Sequence, residues 1–377
     1  MAAPRTFPTG GVVAPEDLVG REPTLRDLFE RLFRQRNSIV LTAPRQTGKT
    51  SVITELLDRV RKEGGWGIYI DCQMASDVDD FITLVASATY DQAAGSKGAF
   101  AKLGDFVKSL PIRPMLFQSD ADLALTFHAD RPQLSMTQKL ERALALADRL
   151  ATEKDTRVVV VYDEFPLLRK LSPKLFDQIR AALQRANTHA AYVFMGSEVG
   201  VLEELFKSRT RQPFRLGTVV EMPLPTAREW VDYIERRFRE LGHPLGPGEA
   251  AQLVSFTGGQ PRNLMEACQH LLTIRNLRGS GAPEDVRLVE IRTYDGLRLH
   301  FEDIWNNLDQ PHGTRTVAMR IATGQNVYGR SRLQTRQVKR ALDKLEHEGL
   351  VRRIRRGSYE FSDALFGRFV GDMSDRA

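Results

Sequence analysis

Between Asn37 and about Pro225 the chain repeats one pattern. Short apolar, β-branched runs (SIVLT, WGIYID, RVVVVY, AYVFMG and GTVVEM) are separated by longer stretches with apolar residues at helical spacing. Runs that are apolar throughout, rather than alternating, fit strands buried on both faces, so the pattern predicts a parallel sheet covered by helices on each side. In GKTSVITELLDRVRKEG the residues Val52, Ile53, Leu56, Leu57 and Val60 form one helical face, and Gly64-Gly65 marks its end. MTQKLERALALADRLATEK predicts the helix that leads into the valine strand. Residues 95–137 are less regular, and either a β-hairpin or an elaborated loop fits them.

Beyond Pro225 the strand pattern stops. TAREWVDYIERRFRELG opens with Thr226 as a helix cap and Glu229 three residues on, a capping box. Helical periodicity continues to about Gly281, interrupted at Gly258-Gly259. The layout expected is a flexible lead-in over residues 1–17, an α/β core over 18–225, a helical subdomain over 226–281, a mixed connector over 282–310 and a terminal module over 311–377. A chain of 377 residues has room for two or three such units.

Composition narrows the class. Hydrophobic residues make up 42% and charged residues 27%, an ordinary globular balance, and no run approaches the ~18 apolar residues of a membrane helix. The lead-in has no apolar segment of a secretory signal, which points to a cytoplasmic protein with no membrane partner. Cys72 and Cys268 stand outside any metal-ligand spacing and read as small core residues, and the seven histidines form no catalytic pattern. The net charge of +6 is uneven. Pro311–Ala377 holds 14 basic and 7 acidic residues, whereas the other 310 residues hold 40 and 41. The positive excess belongs to the terminal module and calls for an acidic partner there.

The chemistry concentrates in two places. APRQTGKT, Ala43 to Thr50, joins a predicted strand to a predicted helix and matches GxxxxGK[ST] with Ala at the first position. Such a loop turns backbone amides inward at a helix N-terminus, where they bind phosphate. Gly48 allows close approach, Lys49 reaches the β- and γ-phosphates and Thr50 offers a hydroxyl to Mg²⁺. About 110 residues later the valine strand ends in Asp163-Glu164. Asp163 suits a metal ligand, and Glu164 suits the group that polarises an attacking water. Two acids ending a buried strand are costly unless a cation meets them. In a parallel sheet both sites, and Ser197 after AYVFMG, fall on the same edge. Ser197 reads equally as a γ-phosphate sensor or as a helix cap.

VGREPTLRDL (Val19–Leu28), APRQTGKTS, VVVVYDEFPLL, YVFMGSEVGVLEELF, the Pro213–Arg215 segment and TGGQPRNL together resemble the AAA+/STAND-type P-loop ATPases. Within them the likeness is greatest to the archaeal-type ATPases related to origin-recognition initiators, over roughly residues 18–280. The resemblance implies an α/β P-loop fold with helices on both faces, a helical lid and a winged helix-turn-helix. It implies ATP and Mg²⁺ as ligands and ATP hydrolysis as the reaction. ATP would be held by Gly20 and Arg21 near the base and by Ala43, Pro44, Arg45, Gln46, Thr47, Gly48, Lys49, Thr50 and Ser51 around the phosphates. Thr50 and Asp163 would hold the metal. Glu164, Lys49 and Ser197 would act in hydrolysis, and Arg262 would approach from the lid as a second sensor or lie on the surface as an ordinary arginine. Arg209, Arg211 and Arg215 are candidates for an arginine donated to a neighbouring subunit, or form a solvated basic loop.

The terminal module reads as a winged helix: RTVAMRIATG, then LQTRQVKRALDKLEHEGL with Val338, Leu342, Leu345 and Leu350 as its core stripe, then two short strands around Gly357. Arg336, Gln337, Lys339, Arg340 and Lys344 on the longer helix, with Arg352, Arg353, Arg355 and Arg356 on the wing, form a surface suited to DNA. The functional expectation is an ATP-driven switch that binds DNA. The rivals are a slow signalling ATPase whose winged helix grips a protein effector, and a homo-oligomeric remodeller assembled by ATP.

Overall fold

The computed structural model describes residues 6–377 apart from 45, 95–111, 120–121, 130–134, 186–189, 197–201, 203–216, 280, 283, 310–311, 330–332, 356 and 375–377. The first unit is the expected α/β core. Helix α1 (Glu22–Phe29) precedes β1 (Ile39–Thr42), α2 (Lys49–Lys62), β2 (Trp66–Asp71) and α3 (Val78–Ala94). After α4 (Met136–Leu144) and α5 (Leu146–Glu153) come β5 (Val158–Asp163), α6 (Leu175–Arg185), β6 (Ala190–Met195) and β7 (Thr218–Glu221). Strands β3 (Ile112–Ser119) and β4 (Asp122–Ala129) pair antiparallel with Ser119 opposite Asp122, which decides the irregular region in favour of a hairpin.

The five-stranded sheet runs in the order β2-β5-β6-β1-β7, and all its pairings are parallel. The valine strand shows why the sequence reads as it does. Val158, Val160 and Tyr162 pack into the layer of α3, α4 and α6, while Val159 and Val161 pack into the layer of α1 and α2. Every residue of β5 is buried, so alternation would leave a polar side chain inside one layer or the other. Full burial of each valine contributes about 2 kcal/mol. The same period of two puts Asp163 on the α2 side, one position past the end of the apolar run.

The helical unit follows. Helices α7 (Ala227–Glu240), α8 (Glu249–Thr257) and α9 (Pro261–Arg278) enclose a separate core of Trp230, Ile234, Phe238, Leu264, Cys268 and Leu271. The capping box of Thr226 and Glu229 is present. Residues 282–310 are not a mixed connector. They are mostly one helix, α10 (Glu284–Asn306), of 23 residues and about 35 Å. Its first half adds Val286 and Val289 to the helical core, and its second half adds Leu297, Phe301 and Trp305 to the core of the terminal module. The lead-in is likewise part of the body: Phe7 is buried against Phe238 and Tyr233, and Asp17 accepts hydrogen bonds from Tyr233 and Arg237.

The terminal module consists of α11 (Thr314–Ala322), α12 (Thr335–His347), the hairpin β8 (Val351–Arg355) and β9 (Ser358–Phe361), and α13 (Ala364–Ser374). Val338, Leu342 and Leu345 of α12 are buried as the stripe predicts, with Leu350 packed at their edge. Gly357, at φ +80°, makes the hairpin turn.

Candidate functional site

Strand β1 ends at Thr42, and the chain then curls before α2. Two residues of the curl lie in the left-handed region, Gln46 at φ +60° and Gly48 at φ +85°. Glycine takes this conformation freely, whereas Gln46 holds it at a cost of about 1–2 kcal/mol. Surrounding bonds retain it: the Thr47 hydroxyl donates to Pro44 O at 2.8 Å, and Arg21 donates to Thr47 O at 2.7 Å. Lys49, almost fully buried, donates from Nζ to the carbonyls of Ala43 (3.1 Å) and Pro44 (3.0 Å). Because α2 starts at Lys49, the positive end of its dipole points at the curl.

The two distant motifs do meet. The Thr50 hydroxyl donates to Asp163 Oδ2 at 3.1 Å, across 113 residues of sequence. The Glu164 amide donates to Asp163 Oδ1 at 2.8 Å, and Tyr69 donates to Oδ2 at 2.5 Å. Glu164 itself is left-handed, at φ +47°, which turns the chain sharply out of β5. A Cβ on Gly196, just past β6, would lie 3.4 Å from Glu164 Oε2, so the Glu164 carboxylate sits where the neighbouring strands β5 and β6 end.

Lys49, Thr50, Asp163 and Glu164 line one cleft of about 780 Å³. Its floor is Gln46 to Ser51 with Asp163 and Glu164. Its roof is Trp230, Pro261, Arg262 and Met265 of the helical unit, and its side is Pro8 to Gly11 with Val13 and Asp17. The Val13 amide donates to the Ser51 hydroxyl at 3.2 Å, which ties the N-terminal segment to α2. The cleft is thus lined both by polar groups, Lys49, Thr50, Asp163 and Glu164 among them, and by Trp230, Met265, Leu18 and Val19.

Several expected residues take other parts. Arg21 lines the cleft, but its guanidinium is spent on Thr47 O and Pro223 O, so it braces the loop against the start of the helical unit. Burial lowers its pKa to about 10, partly offset by Glu229, and it remains charged at neutral pH. Gly20 does not line the cleft. Its left-handed turn abuts the Glu229 carboxylate, 2.9 Å from where a Cβ would stand. Arg262 is exposed and lines the cleft from the helical unit. Cys72 is buried beneath the site, and burial pushes its thiol well up, so it carries no nucleophile. Arg45, Ser197, Arg209, Arg211, Arg215 and Arg356 lie outside the described residues. Sequence reading missed Tyr69 and the N-terminal wall. Neither had a local signal, because the contact of Tyr69 depends on β2 lying beside β5 and that of Pro8 to Gly11 on the lead-in folding back.

On the terminal module Arg336, Lys339 and Arg340 of α12 are exposed, as are Arg353 and Arg355 of β8. Lys344 is a correction. Its ammonium donates to Asn307 O at 2.9 Å and pairs with Glu348, so it serves packing against the end of α10. Gln337 is half-buried and accepts from the amide of the cap residue Gln334, which makes it the third-position member of a capping box. Arg352 is exposed but pairs across the hairpin with Glu360, which offsets its charge.

A parallel sheet whose first strand runs into an amide-lined curl, with a hydroxyl and a carboxylate meeting over it, defines a P-loop nucleotide-hydrolase fold with a helical unit over its cleft. Residues 18–267 match the profile of the ATPase domain found predominantly in Archaea, and the chain belongs to that ATPase family. The Walker-type ATPase PABY2304 of Pyrococcus abyssi has a similar structure, with TM-score 0.66 at 17% identity over 97% of this chain and 99% of that one. The ORC2 protein of Aeropyrum pernix, in ADPNP–ADP complexes, gives TM-score 0.60 at 14% identity over 98% and 96%. No curated protein matches the chain by sequence. Among the described residues no helix is long and apolar enough to cross a membrane.

Proposed function

We propose that this ATPase binds Mg-ATP in the cleft and that closure of the helical unit over the nucleotide moves a DNA-binding winged helix. The loop amides and Lys49 would hold the phosphates, with Lys49 exchanging its two carbonyl partners for phosphate oxygens. Thr50 and Asp163 supply a hydroxyl and a carboxylate 3.1 Å apart, a hard-oxygen pair that suits magnesium. Among the described residues no cluster of three metal-ligating side chains exists, which fits a cation held by one carboxylate and substrate phosphates. When bound, the cation neutralises charge on the phosphates. Glu164 would orient the attacking water and accept its proton, while Lys49 stabilises charge that develops on the γ-phosphate.

The observation that carries the coupling is the junction between the helical unit and the terminal module. Arg262 lines the cleft, and its neighbour Asn263, 1% exposed, donates from Nδ2 to both oxygens of Asp363 at 3.1 and 3.0 Å. Asp363 in turn accepts from the Leu365 amide at the start of α13. Gly258 packs so closely on Ala364 that a Cβ there would lie 2.8 Å from the alanine methyl. Helix α10 is shared by both cores. On this reading the helical unit and the terminal module would move together, and the joint to the sheet would include both Met222–Thr226 and the lead-in, which packs on the helical unit and bonds to α2. A nucleotide that draws Arg262 toward the phosphates would rotate the whole body and carry Arg336, Lys339, Arg340, Arg353 and Arg355 with it. Rearrangement about such a joint needs only differential contact with the nucleotide.

The test is duplex-DNA binding over a salt series, with and without ATP, for the wild type and Lys49→Ala. Wild-type affinity that falls with salt and changes with ATP, alongside a variant that binds no ATP and shows no change, supports the reading. DNA binding that is absent at low salt would leave the basic face to a protein effector. Sizing the same samples reports whether ATP assembles a homo-oligomer.

A further inference from the structure

Tyr69 lies on β2, whose register with β5 sets Tyr69 opposite Val161 and Asp71 opposite Asp163. Paired residues of parallel strands face the same side, so Tyr69 shares the α2 face with Asp163 and Thr50. Its ring packs at the edge of the α1/α2 core, and its hydroxyl reaches one step along the sheet to Asp163 Oδ2 at 2.5 Å. Asp163 is 6% exposed, and chain donors engage both its oxygens: Tyr69 and Thr50 on Oδ2, the Glu164 amide on Oδ1.

The three donors are not equivalent. The Thr50 hydroxyl is also the group the loop offers to a cation; it would coordinate through a lone pair while keeping its O–H on Oδ2, so the geometry of that bond follows the metal. The Glu164 amide is fixed but holds only one oxygen. Tyr69 is flanked on its strand by two buried residues, Ile68 and Ile70, and its phenol, which also meets the Thr50 side chain, is carried by the sheet rather than by the loop. It is the donor that can hold Oδ2 whether or not Thr50 is engaged.

We infer that Tyr69 is a positioning residue for the divalent cation, fixing the Asp163 carboxylate through Oδ2. This rests on the reading of the cleft as a metal–nucleotide site. Loss of an outer-shell donor to a ligating carboxylate typically lowers metal affinity about 10- to 100-fold, because the carboxylate rotates and spreads over several orientations. Tyr69→Phe keeps the packed ring and removes the hydroxyl alone.

Two measurements test it on the full-length protein. Fluorescent ADP and ATP are titrated in EDTA and then against Mg²⁺, and Mn²⁺ is titrated in the presence of nucleotide with free metal followed by its electron paramagnetic resonance signal. The expected result for Tyr69→Phe is unchanged affinity for nucleotide in EDTA, with the Mg²⁺ and Mn²⁺ midpoints raised about 10-fold or more. Midpoints equal to wild type would overturn the inference and leave Tyr69 a packing residue. So would a fall in metal-free affinity that accounts for the whole change. A wild type with no metal dependence would overturn the reading of the cleft along with it, whereas a metal-dependent wild type beside an unaltered variant removes Tyr69 alone.

Discussion

Asn263→Ala cuts the link between the helical unit over the cleft and the terminal module without touching the loop before α2 or the exposed basic face. The variant loses one forked contact, a single Nδ2 group on both oxygens of a carboxylate, and a hydrogen-bonded contact to a charged group contributes about 1.5–3 kcal/mol. Asp363 keeps the Leu365 and Phe366 amides, so its charge is not left bare, and the net loss falls near the low end, about 2 kcal/mol. The shared helix α10 still holds the two units together, so the protein stays folded, with a melting temperature lowered by a few degrees. Allosteric coupling energies run about 1–3 kcal/mol, so a link of about 2 kcal/mol is large enough to carry most of one. In affinity, about 2 kcal/mol is roughly 30-fold. The assay is the ratio of DNA dissociation constants with and without a slowly hydrolysed ATP analogue. The variant should bind ATP as the wild type does, because Arg262 and the loop are intact, while its ratio collapses toward one. A ratio equal to that of the wild type would refute the rigid-body coupling and place transmission elsewhere.

Other substitutions probe the site and the basic face. Glu164→Gln should keep ATP affinity and lose turnover by about 100-fold or more, measured by phosphate release; unaltered turnover would remove Glu164 from the hydrolytic step. Charge reversal at Arg353 and Arg355 should weaken DNA binding and flatten its salt slope by roughly 0.9 for each phosphate that is no longer neutralised. Lys344→Gln should leave DNA affinity and its salt slope alone and instead lower the melting temperature slightly, since Lys344 holds Asn307 O.

The local chemistry of this protein was written in the chain. Runs such as VVVVY are buried on both faces, and their composition alone predicts strands of a covered parallel sheet. APRQTGKT and the DE pair carry their geometry with them, because a glycine before Lys-Thr and acids ending an apolar strand have few other uses. Long-range complementarity was not legible. Nothing near Tyr69 says that its hydroxyl meets Asp163, since that depends on the order of strands β2 and β5. Arg21 could not be told from a ligand for the base until the Thr47 and Pro223 carbonyls stood beside it. Helix α10 did have a readable stripe (Val286, Val289, Thr293, Leu297, Phe301, Trp305), yet only packing shows that its two halves serve different cores. Lys344 reads like its basic neighbours and is set apart solely by the end of α10 lying against it. Periodicity and loop chemistry act within a few residues, so the sequence determines them directly. Which buried donor meets which acceptor is decided by elements far apart in the chain, and only the folded arrangement supplies that.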